Sequence, residues 1–119
     1  AWPYGETRRD LKPRLATRFD AVRGIHPGVN GRRADLMQLF ALELNADEST
    51  IERAAHMIEQ STGAPAWIFV FTHDVRQKHS KWGTTPAHFR RLVNLAHDTG
   101  AILQTPSSAL DAIMQAERA

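Results

Sequence analysis

One stretch, Ala66 to Thr72, reads AWIFVFT and constrains the chain more than any other. Trp67, Ile68, Phe69, Val70 and Phe71 leave no polar residue on either face of an extended segment. A half-exposed strand would alternate, so this run reads as a central strand of a parallel sheet covered by helices. It stops abruptly at His73 and Asp74, and a polar loop with His79 and Trp82 follows, closing on Gly83-Thr84-Thr85-Pro86. In α/β folds, ligands lie beyond the carboxyl ends of such strands. His73 and Asp74 therefore sit where a site is expected, as does Tyr4-Gly5 if the residues before it end another strand.

The flanking patterns fill in the rest of an α/β chain. Leu11, Leu15 and Phe19 make a helical stripe over Thr7–Phe19, with Thr7 as a cap and Pro13 awkwardly inside it. DAVRGI is a short strand candidate, HPGVNGRRAD is loop, and LMQLFALEL fits helix, strand or an irregular crossover equally. Asp47 or Ser49 opens a helix that runs to Gln60 on Ile51, Ala54, Ala55 and Ile58, stopped by Gly63 and Pro65. Thr85-Pro86 opens another, with Phe89, Leu92, Val93 and Ala96 apolar and Gly100 at its end. AILQT, residues 101–105, is a short strand, and Pro106 starts a last helix over Ser107–Gln115 with Leu110, Ile113 and Met114 apolar. Helices alternate with strands, so the strands are expected to be parallel.

The function classes narrow by exclusion. At 119 residues, with 42% apolar and 24% charged residues, the chain is expected to be one globular domain rather than a disordered segment. A net charge of +2, with the basic runs ETRRDLKPR and NGRRAD broken by acids, argues against a nucleic-acid partner. Without cysteine there is no thiol nucleophile and no thiolate zinc site, but the compartment stays open: cytoplasmic, or exported if a leader precedes the chain. No stretch is long and apolar enough for a membrane span. The opening AWPYGETRRD begins without Met and reads like the middle of a protein, as a fragment or a processed chain would.

His73 stands at a strand end where a histidine can carry a proton to a leaving group as a general acid, or else it is a structural histidine bonded to a nearby carbonyl. Asp74 is a catalytic acid or an anchor for the loop. His73, Asp74 and His79 match no compact metal-ligand spacing. Trp82 is either a platform for a sugar ring or a lid packed on the rim. There is no G-x-S-x-G elbow, phosphate loop or H-E-x-x-H, so the residues present make at most half of a hydrolytic site.

WPYGE, FTHDV and HSKWGTTPAHFRRLVNLAHDTGAILQTPSSAL together resemble the C-terminal half of the polysaccharide deacetylase domain, the NodB-homology or carbohydrate esterase family 4 domain. The similarity runs over residues 1–119. It implies the C-terminal portion of an irregular (β/α) barrel with parallel strands. It further implies a metal-dependent hydrolase that removes N-acetyl or O-acetyl groups from a polysaccharide. The divalent metal, most often zinc, and the general base would be held by an N-terminal half whose motifs are not in this chain. The resemblance assigns His73 as the general acid, the Tyr4 amide as the oxyanion donor, and Phe71 to the acetyl pocket. Trp2, Trp82 and Asp74 fall along the sugar cleft. An Ala1 stands where the family usually has an arginine, and the family's Asp-x-x-x-Trp pocket motif has no counterpart between Arg23 and Glu48. The implied partners are an acetylated carbohydrate and either the other half of the domain or a second copy covering the open strand edges. The competing expectations are a carbohydrate-binding or structural α/β module without turnover and, more remotely, a regulatory module.

Overall fold

The computed structural model describes residues 1–118. A single 3₁₀ turn, Pro3–Gly5, precedes α1 (Lys12–Ala16), β1 (Leu42–Glu43), α2 (Glu48–Gln60), β2 (Val70–Phe71), α3 (Pro86–Asp98) and α4 (Pro106–Arg118). β1 and β2 pair in parallel, Leu42 opposite Val70 and Glu43 opposite Phe71. The Leu42 and Leu44 amides donate to the Phe69 and Phe71 carbonyls at 2.8 and 2.9 Å. Among the described residues only isolated bridges extend this pairing, Arg23 with Leu39 and Val75 with Thr84 in parallel and Asn30 with Trp67 in antiparallel sense.

The expected barrel segment is therefore not what forms. The chain is a small α/β domain on an open, two-stranded parallel sheet. Two local reasons account for the difference. The AILQT segment makes no strand: it is exposed along its length, with Ile102 82% accessible. DAVRGI contributes one bridge, because its Val22 and Gly24 amides reach Leu36 and Leu39 carbonyls but nothing pairs on its other side beyond Trp2.

The AWIFVFT run is also covered differently from the expectation. Ile68 and Val70 pack against the core of Leu42, Leu44, Ile51, Ala54, Ile58, Leu92 and Ala96, which the β1 segment, α2 and α3 supply on one face. Trp67, Phe69 and Phe71 occupy alternate positions and so turn to the other face, where they remain half-buried, Trp67 across an open groove from α4.

The longer helices begin and end where the sequence marks them. Asp47 accepts a hydrogen bond from the Ser49 amide at the start of α2, and Thr85 from the His88 amide at the start of α3. Gly63 and Gly100, at φ +88 and +79, follow α2 and α3. Glu48 ties the two helices together, accepting from Arg91 at 2.7 Å and lying 3.1 Å from the His88 ring. Arg91, then His88, hold its carboxyl below the usual range. α1 is much shorter than Thr7–Phe19. Proline lacks the amide a helix interior needs, so Pro13 lies in the first turn and the helix cannot extend back to Thr7.

Asn30 does what longer strands would otherwise do. It is buried, and its Oδ1 accepts from the Phe40 amide at 2.9 Å while its Nδ2 donates to the Phe40 and Trp67 carbonyls at 3.0 and 3.2 Å. Its backbone also exchanges hydrogen bonds with Trp67 in both directions. Three segments meet at one side chain, and removing it leaves the Phe40 amide and carbonyl without that partner, while the Trp67 carbonyl keeps the Asn30 amide. Asn30→Ala is expected to lower the unfolding free energy by about 2–4 kcal/mol in urea titrations. A loss below about 0.5 kcal/mol, the range of ordinary surface substitutions, would show that the pairing does not rest on it.

Candidate functional site

His73 lies two residues beyond β2, exposed, on the aromatic side of the strand. Its ring centroid is 6.5 Å from that of Phe71 and 6.4 Å from that of Trp82. Trp67 and Phe69 form a further pair at 5.7 Å along the same face. Arg23 reaches over this row, its guanidinium 4.3 Å from the Phe71 centroid and 5.9 Å from that of Phe69. Both separations are within cation–π range. Partial burial lowers the Arg23 pKa, although a guanidinium stays charged at any working pH.

Asp74 builds the loop that presents Trp82. Its carboxylate accepts from the Ser80 hydroxyl at 2.6 Å, the Ser80 amide at 2.8 Å and the Arg76 guanidinium at 3.0 Å. These contacts, the Ser80 hydroxyl foremost, hold the Asp74 carboxyl far below the usual carboxylate range. A carboxyl so tightly engaged is an anchor and a poor proton donor. Thr84 closes the loop: its amide donates to the Asp74 carbonyl at 2.9 Å, its own carbonyl accepts from Arg76, and its hydroxyl donates to the Asn45 carbonyl at 3.1 Å. The loop is thereby fastened to the end of β1 as well as to itself. Gly83 is required by contact, since a Cβ there would lie 2.3 Å from Asp74 Oδ1 and 2.4 Å from its carbonyl oxygen.

Trp82 is 49% exposed, with the Lys81 ammonium 4.4 Å from its ring centroid. His79 turns back on the loop, its Nδ1 2.6 Å from the Ser80 carbonyl. No group of three His, Asp or Glu among the described residues converges as a metal site. His73 and Trp82 are brought together; His73, Asp74 and His79 are not joined as ligands.

Tyr4 is at φ 52, ψ 17, the left-handed region, and 95% of its surface is exposed. Only a few per cent of non-glycine residues adopt this conformation, and it costs about 1–3 kcal/mol. Among the described residues its amide has no hydrogen-bond partner, whereas those of Gly5 and Glu6 bond back to Trp2 and Pro3. A free, fixed amide is what an oxyanion donor requires. Trp2 is buried, its indole N–H donating to the Met37 carbonyl at 2.7 Å, so its ring packs within the fold. Its amide donates to the Arg23 carbonyl at 3.0 Å. The Tyr4 turn and the aromatic row of β2 are thus linked through one residue, Arg23.

Arg23, Ser80 and Thr84 are the residues that sequence reasoning misses. Arg23 lies in a weak strand candidate where nothing signals a stacked cation. A Ser six residues after an Asp has no motif value until the loop closes. No family model matches the chain, and neither a curated protein nor a solved structure shows significant similarity to it.

A carboxyl lowered by folding stabilises above its ordinary value, near pH 3.9, and loses that contribution only as pH falls through the lowered one. The loop is therefore expected to stay closed down to about pH 4 and to loosen only in stronger acid. Asp74→Ala should open it at neutral pH, read as narrowed and shifted Trp82 indole and Ser80 amide resonances with the α2 and α3 signals unchanged. Gly83→Ala should do the same and cost about 1–3 kcal/mol, as overpacking does. An unchanged Trp82 signal in both variants would contradict the anchoring role.

Proposed function

We propose that this chain supplies the proton-donating wall of a carbohydrate deacetylase site, within a metal-dependent hydrolase of N-acetyl or O-acetyl groups. The observation that carries the reading is the exposed His73 ring 6.4 Å from a half-exposed Trp82, at the end of an aromatic-faced strand and on an anchored loop. Trp82 offers a flat apolar surface to the C–H face of a sugar ring. His73 is free to carry a proton to the departing amine or hydroxyl. The Tyr4 amide is available to a developing oxyanion, and Phe71 gives the cleft an apolar wall. Asp74 acts through the loop, holding Trp82 in position.

The described residues do not fit the divalent metal that the resemblance implies, because no three ligating groups converge. Its ligands and the general base belong to other residues. The same observation favours a second reading, in which this face binds an acetylated sugar without turning it over.

Titrating the chain with N-acetylglucosamine oligosaccharides should shift the Trp82 indole and His73 ring resonances, and both should stop responding in Trp82→Ala. Acetate release by the chain alone should stay at background with or without added zinc. Where a metal-holding partner segment is present, His73→Ala should lower kcat by about 10²–10⁴ with little change in melting temperature. Shifts confined to other faces would overturn both readings. A sugar response with kcat unaffected by His73→Ala would leave the binding reading alone.

A further inference from the structure

α4 is loosely seated. Ala109 is its one buried residue among those described, and Leu110, Ile113 and Met114 are only half-covered. Open grooves run along both of its sides. One, of about 610 Å³, lies between α4 and Phe19, Asp35 and Met37. The other, of about 570 Å³, lies between α4 and Asn30, Arg32 and Trp67. With one buried residue and three half-covered ones, α4 gives up little apolar burial when it leaves this seat.

The segment joining α4 to α3 is built like a hinge. Ala101–Thr105 has no secondary structure, and among the described residues the Ile102, Leu103 and Gln104 amides make no hydrogen bond. Ile102 and Leu103 are 82% and 58% exposed. No charged residue occurs from Thr99 to Leu110, so two copies of this segment can lie side by side without repulsion. Fully extended, its five residues reach about 17 Å, enough to carry α4 off its own groove.

We propose that α4 exchanges between two copies of this chain, each helix seating in the other copy's groove beside Phe19 and Met37. Phe19 and Met37 already face Leu110 and Met114 across this groove within one copy, so the exchanged contacts repeat those within one chain. The gain arises at the hinges. Two hinge segments, brought together antiparallel, bury Ile102 and Leu103 and pair amides that have no partner in the single copy.

The chain has no cysteine, which makes the test clean. One preparation carries Met37→Cys and another Met114→Cys, two positions that line the same groove. The two are mixed, refolded together at high protein concentration and treated with a short bis-maleimide. Exchange predicts a covalent mixed dimer on denaturing gels. Adding Ile102→Asp and Leu103→Asp to both chains should cut its yield about tenfold or more, with the circular dichroism of the monomer unchanged. Should Met37→Cys disturb folding, Phe19→Cys on the same groove replaces it. Absence of the mixed dimer, or a yield indifferent to the paired aspartates, overturns the proposal.

Discussion

Asn30 holds together a sheet too short to hold itself. β1 and β2 pair over two residues each, and an isolated pair of that length has no independent stability. The buried carboxamide of Asn30 fastens Phe40 and Trp67 to the 26–30 loop at one end of this pairing. Thr84, fully buried, fastens the 74–84 loop to Asn45 at the other. Between the two, Leu42 and Leu44 are set against α2 and α3, whose burial supplies most of the core. Side-chain hydrogen bonds to backbone thus stand in for the ladder, and each one is costly to lose because Asn30 and Thr84 themselves are buried.

This arrangement divides β2 into two faces with different fates. Ile68 and Val70 face the helices and serve stability. Phe69, Phe71 and His73 lie on the other face, the two phenylalanines half-buried and His73 exposed. Arg23 shields the first two without closing the third. The anchored loop then brings Trp82 to His73, so an apolar plate and a titratable ring share one surface. The strained turn at Tyr4 joins this surface through the backbone of Arg23.

The sequence made some of this legible and hid the rest for identifiable reasons. α2 and α3 were legible because Asp47, Thr85, Pro86, Gly63 and Gly100 act locally, each through its own amide, carboxylate or φ. The pairing of LMQLFALEL was not, because Leu39 to Leu44 carry an apolar run that suits helix and strand alike. Reading AWIFVFT as covered on both faces failed because aromatic residues tolerate half-burial when a cation such as Arg23 lies over them. AILQT has strand composition, but among the described residues it has no neighbour to pair with. Trp82 was legible as a rim or platform residue from its loop position, whereas the Ser80–Asp74 contact that brings it to His73 was not.

The central claim is that His73 and Trp82 work as one surface on a sugar. A double-mutant cycle tests it most directly, with oligosaccharide affinity measured for His73→Ala, Trp82→Ala and the pair. Neighbouring groups that share a ligand are expected to be non-additive by about 0.5 kcal/mol or more. Strict additivity, with each substitution acting as though the other residue were elsewhere, would contradict the account.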